Sequence, residues 1–145
     1  MTTSSNKPTT LFWVIGVVAL LWNGMGANMY IQQAYKTDAF KAMYPDPKVL
    51  EMVENTPSWV MGAFAIAVFG GVLGALLLLL KKKLAKSVFL ISFIAIATQM
   101  IYNVFISGAL EVYGPGAIIM PVMTLAIGAF LIWHSKKSIE KGWLI

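Results

Sequence analysis

The chain has 145 residues, 59% of them hydrophobic and only 12% charged, with a formal net charge of +5 whose cations are all lysines. A soluble domain carries about 25% charged residues, so too few are present here to cover a water-facing surface; this excludes an ordinary soluble enzyme, a disordered chain and a coiled coil. There is no cysteine, and His134 is the only histidine, which removes disulfides, thiolate metal centres and multi-histidine sites; no cofactor and no metal are expected.

Residues 1–10 form a polar tail. Leu11 to Tyr30 is a run of 20 residues without a charge, about 30 Å of helix, which matches the hydrocarbon thickness of a bilayer. It predicts a first span over 11–33. A cleavable signal peptide competes for this segment, since Lys7, the apolar Leu11–Leu21 and the small Gly24 and Gly26 imitate one. Apolar character continuing through Met29 and Tyr30 argues for a span. In the loop that follows, Asp46-Pro47 reads as an N-cap with proline at the first helical position. It predicts a short amphipathic helix whose apolar side is Val49, Leu50, Met52 and Val53, lying on the bilayer or capping the bundle, or else acting as a lid over a cavity. Thr56-Pro57 repeats the start signal and introduces a second span, 58–80. A third, 85–108, follows a short lysine-rich turn. The fourth, 116–134, leaves 135–145 as a second tail, with His134 as an interfacial side chain. The expected fold is all-α: a four-transmembrane-helix bundle forming a single integral membrane domain over 1–145.

Lysines give the direction. Lys7, the Lys81–Lys86 turn and the segment after the fourth span hold eight of the lysines and one acid, Glu140; the other two loops hold three lysines and five acids. The positive-inside rule places both termini and the Lys81–Lys86 turn in the cytoplasm. Trp13 and Trp133 fall at the cytoplasmic interface; Tyr30, Tyr35, Trp59 and Tyr113 fall at the outer one.

Small residues recur along the second span. Ala63, Ala67, Gly71 and Ala75 share a face, with Gly70 and Gly74 as a GxxxG pair beside it, so another helix can approach closely. That helix belongs to the bundle or to another chain. Amides are the other signal. Asn23 in the first span and Gln99 in the third fall at similar depths, and Gln99 and Asn103, four apart, share a face. Asn28 points about 140° away from Asn23. An unpaired amide in hydrocarbon costs about 4–8 kcal/mol, so Asn23, Gln99 and Asn103 are expected to face the interior. They either bond to one another across helices or line a wet cavity for an uncharged, hydroxyl-rich solute. In the second case Trp22 and Tyr102 offer flat apolar surfaces to a ring. The candidate solute-binding set is therefore Trp22, Asn23, Gln99, Tyr102 and Asn103. No acid or base lies within any span, Glu111 reaching only the outer interface; this argues against proton-coupled antiport. No nucleophile–base pair or carboxylate dyad is recognisable, so an enzyme is not expected.

Leu20-Leu21-Trp22-Asn23-Gly24-Met25-Gly26, Ser58-Trp59, the run Ala63–Gly71 and Gln99-Met100-Ile101-Tyr102-Asn103 together resemble small four-span membrane proteins of Gram-negative bacteria that carry the label of sugar transporters. The resemblance covers most of the chain and implies binding or passage of a small neutral solute. The alternative is a non-catalytic subunit of a larger membrane complex, docking through its small-residue stripes. Either way the expected partners are the lipid bilayer and a second copy or another membrane protein, and no nucleic acid. At 15.9 kDa a carrier of this kind is expected to be a homo-oligomer.

Overall fold

A computed structural model of the chain describes residues 7–106 and 115–145. These are all-helical, with no strand among them. The long helices are α1 (Thr10–Tyr35), α4 (Ser58–Leu79), α5 (Leu84–Ile101, continued by a π-turn over Tyr102–Ile106) and α6 (Ile119–Glu140). Two short ones, α2 (Asp38–Ala42) and α3 (Pro47–Glu54), lie between α1 and α4, and a 3-10 turn over Pro115–Ile118 leads into α6. Ser107, Glu111 and Tyr113 lie outside the described residues.

The helix ends follow local chemistry. The Thr9 hydroxyl accepts from the Phe12 N–H at 3.3 Å, satisfying one of the donors left free at the start of α1. Asp46 accepts from the Lys48 N–H at 2.9 Å, and Pro47 opens α3 as its sequence predicts. Thr56 behaves differently. Pro57 precedes α4 without any side-chain cap, and the Thr56 hydroxyl donates backwards to the Val53 carbonyl at 2.6 Å. It thus satisfies a carbonyl orphaned at the end of α3 and leaves the start of α4 alone.

Among the described residues, three helices are long and apolar enough to cross a membrane: α1, α4, and α5 with its π-turn. The fourth expected span corresponds to α6, which is not one of these three; its last two turns carry Lys136, Lys137 and Glu140. All four long helices nevertheless turn large apolar side chains outward, among them Leu21 and Met25 on α1, Ile66 and Leu73 on α4, Ile91 and Ile94 on α5, and Ile119 and Val122 on α6. Such coverage is foreign to a soluble monomer.

Helix α4 is the centre of the bundle. It packs against both α1 and α5, and α6 packs against α5. Close approach rests on glycine. The position a Gly71 Cβ would occupy is already filled by the amide of Asn23, and a Cβ on Gly74 would stand 2.7 Å from the Phe89 ring. Across the α4–α5 seam the Ser92 hydroxyl donates to the Ala67 carbonyl at 2.6 Å. Ala63, Ala67 and Ala75 are buried, and Gly70 lies against Ser92. In lipid, where the hydrophobic effect does not draw helices together, such close packing is a main source of association.

The main buried apolar cluster sits at one end. Phe12, Leu78, Ala85, Phe89 and Leu131 meet Trp143 and Leu144 there. The expected tail 135–145 is therefore corrected: α6 continues to Glu140, and residues 143–145 fold back under the bundle. The Lys83 N–H donates to the Ile145 carbonyl at 3.0 Å, and the Ile145 N–H donates to the Lys81 carbonyl at 2.9 Å. Trp143 and Leu144 are apolar enough to prefer this burial to water. His134 is only 8% exposed, held between Phe130, stacked at 6.0 Å, and Phe12 at 5.6 Å.

Candidate functional site

Away from the dry end the four long helices do not close on one another. A central chamber of about 340 Å³ runs between α1, α4, α5 and α6, with Trp22 and Asn23 on one side and Thr124 and Gly128 on the other. A second chamber, about 490 Å³, opens beneath α3. Met29, Phe64, Ile96, Gln99 and Thr124 line both, so the two form one cleft with a shared waist. Each lies within the usual size of a small-molecule site, about 300–1,000 Å³.

The five candidate residues divide between the chambers. Trp22 and Asn23 line the central one; Tyr102 and Asn103 line the one beneath α3; Gln99 belongs to both. The amides do not form the cross-helix cluster that one sequence reading allows. The Asn23 Nδ2 donates to the Ala19 carbonyl of its own helix at 2.8 Å, the i−4 back-bond open to short polar side chains, and its oxygen lies against Gly71. Gln99 is half-buried at the waist, and its amide has no hydrogen-bond partner among the described residues. Asn103 is half-buried in the π-turn. The Tyr102 ring stands edge-on to Trp59 at 5.8 Å. Asn28, on the opposite side of α1, is exposed.

Helix α3 covers the cleft mouth with Met52 and Val53. Gln33, at the end of α1, fastens it: Gln33 Nε2 donates to the Val53 carbonyl and to Thr56 Oγ1, both at 3.3 Å. Tyr44 completes this rim, and burial pushes its phenol above the usual value of 10. The sequence reading does not single out Gln33, Tyr44 or Thr124 for the site, and it uses Thr56 only as a helix start signal. Gln33 carries a usable signal, a neutral polar residue at the last turn of an apolar helix.

Among the described residues, the lining contains no acid, no lysine and no histidine. Amides, hydroxyls and phenols alternate with thioethers and aromatic rings. This arrangement can donate to and accept from hydroxyl groups and can rest a ring against an apolar wall, but it offers no charge to neutralise an ion. Comparison with protein-family models, with curated proteins and with solved structures found no match.

Proposed function

We propose that the protein is a four-span membrane protein of the bacterial inner membrane that binds, and passes, a small neutral solute bearing several hydroxyl groups, such as a sugar. The observation that carries this reading is the two-chambered cleft, amide-bearing and without a charged side chain among the described residues that line it, with Gln99 shared by both chambers.

The fourth crossing is supported by geometry. From Ile119 to Trp133, α6 rises about 22 Å, and the 3-10 turn ahead of it adds about 8 Å, together close to the hydrocarbon thickness. Its outward face, with Ile119, Val122, Met123 and Phe130 exposed, suits lipid. In this arrangement α3 covers the outer mouth, and the Lys81–Lys86 turn with the folded-back C-terminal segment closes the cytoplasmic end. The small-residue stripe of α4 leaves little for the alternative role as an assembly subunit, because Asn23, Phe89 and Ser92 already occupy Gly71, Gly74 and Gly70.

Reconstituted protein is expected to take up a radiolabelled hexose or polyol. Gln99→Leu and Asn103→Leu are expected to abolish uptake while the helical circular dichroism of the purified protein is kept. Wild-type vesicles that move no member of a broad sugar and polyol panel would contradict the proposal.

A further inference from the structure

A third cavity, about 540 Å³, lies at the other end of the molecule, outside the cleft, in the groove between the start of α1 and the end of α6. Its walls are apolar, formed by Leu11, Phe12, Ile15, Phe130 and Trp133, and its rim carries Lys137 and Lys141. His134, Lys137 and Lys141 follow one another at three and four residues, so α6 presents them on one face. His134 lines the groove and is more than nine-tenths buried, yet its Nε2 has no hydrogen-bond partner among the described residues. A buried ring nitrogen without a partner is costly. Thr9 and Leu11, at the start of α1, line the same groove, which places the positive end of a helix dipole beside it.

We infer that this groove binds one anionic phospholipid, its phosphate held by Lys137, Lys141 and the start of α1 and its acyl chain laid along Leu11, Ile15 and Phe130. A lipid suits the groove better than a free phosphate, because the walls below the lysines are hydrocarbon and would leave an inorganic anion unsolvated on that side. The inference rests on the membrane reading, since the lysine rim then lies at the level of the cytoplasmic headgroups, where basic pockets between helices recognise acidic lipids. Two existing contacts are compatible with it. The Lys137–Glu140 pair at 3.7 Å is exposed and weak, and Lys141 rests over the Trp143 ring at 4.7 Å with its ammonium still at the rim.

The full chain, purified in a neutral detergent, is titrated with phosphatidylglycerol, phosphatidylcholine or inorganic phosphate, and bound lipid is counted by native mass spectrometry. One phosphatidylglycerol per chain is expected, in preference to phosphatidylcholine, and not displaced by millimolar phosphate. Lys137→Gln/Lys141→Gln is expected to weaken it about thirty-fold, whereas Lys82→Gln/Lys86→Gln, which removes the same charge from the neighbouring turn, leaves it unchanged. Leu11→Trp, which fills the groove and keeps both lysines, is expected to abolish binding, so a poorly folding lysine variant does not decide the matter. Equal binding of phosphatidylcholine, displacement by phosphate, or the same loss in both lysine pairs would overturn the inference. A chain that stays in solution without detergent would instead overturn the membrane reading itself.

Discussion

At Gly71 the missing side chain is where the fold is tightest. The Asn23 amide occupies that space, so adding a single methyl group must displace the Asn23 side chain from its bond to Ala19 or push α1 away from α4. Gly71→Ala is expected to destabilise the protein by about 1–3 kcal/mol, seen as a lowered Tm in detergent. Gly24→Ala, on an open face with nothing within 4 Å of the new Cβ, is expected to leave Tm unchanged or slightly raised. Equal effects at the two sites would contradict the close α1–α4 packing. Tyr44 gives the pH dependence of the cleft rim. Burial disfavours its phenolate, so its folded-state pKa lies above the ordinary 10. Its contribution to stability is complete below that ordinary value and is lost as pH rises through the folded value. Alkaline difference spectra are expected to show a late tyrosine ionisation that Tyr44→Phe removes. At this scale the sequence pointed to Gln99 and Asn103, because an amide in an apolar helix is a conspicuous cost. It did not show that Asn23 would bond to its own helix, since the i−4 carbonyl is always within reach and no residue pattern announces its use.

Among the elements, α3 was the most legible short one: an acidic cap, a proline at the first position and four apolar residues over two turns. What covered the cleft mouth was less so, because the Gln33 and Thr56 contacts depend on how α1 returns to meet the loop. Thr56→Val removes the bonds to Val53 and from Gln33 together. It is expected to cost about 1 kcal/mol or slightly more, raising amide exchange in α3 several-fold while α4 and α5 are unaffected. Unchanged exchange in α3 would show that these bonds do not hold it down. The C-terminal segment was misread for a related reason. Lysines mark it as cytoplasmic, but Trp143 and Leu144 are too few to show a period, and only the neighbouring Lys81–Lys83 backbone supplies their hydrogen-bonding partners. Trp143→Ala is expected to lower Tm by opening the dry end of the core.

For the whole molecule, composition and run length pointed to the helical class and to three of the helices long and apolar enough to cross a membrane, since bilayer thickness allows few alternatives. The proposed fourth crossing depends on α6, whose uncharged run is shorter and whose lysines begin within the helix. The division into a packed end that holds Trp143 and Leu144 and an open cleft without a charged side chain among its described lining residues was not visible in any single helix, because it arises from how four helices diverge. Topology tests the account most directly, and the absence of cysteine makes every introduced thiol unique. Asp46→Cys, Lys82→Cys and Lys136→Cys, each made singly, are exposed to a membrane-impermeant maleimide in intact cells and after permeabilisation. The account predicts that position 46 reacts in intact cells from the periplasm, and that positions 82 and 136 react only once the inner membrane is opened. Reaction at 82 in intact cells would reverse the orientation, and reaction at 136 with 82 protected would leave α6 without its crossing and the cleft without its fourth wall.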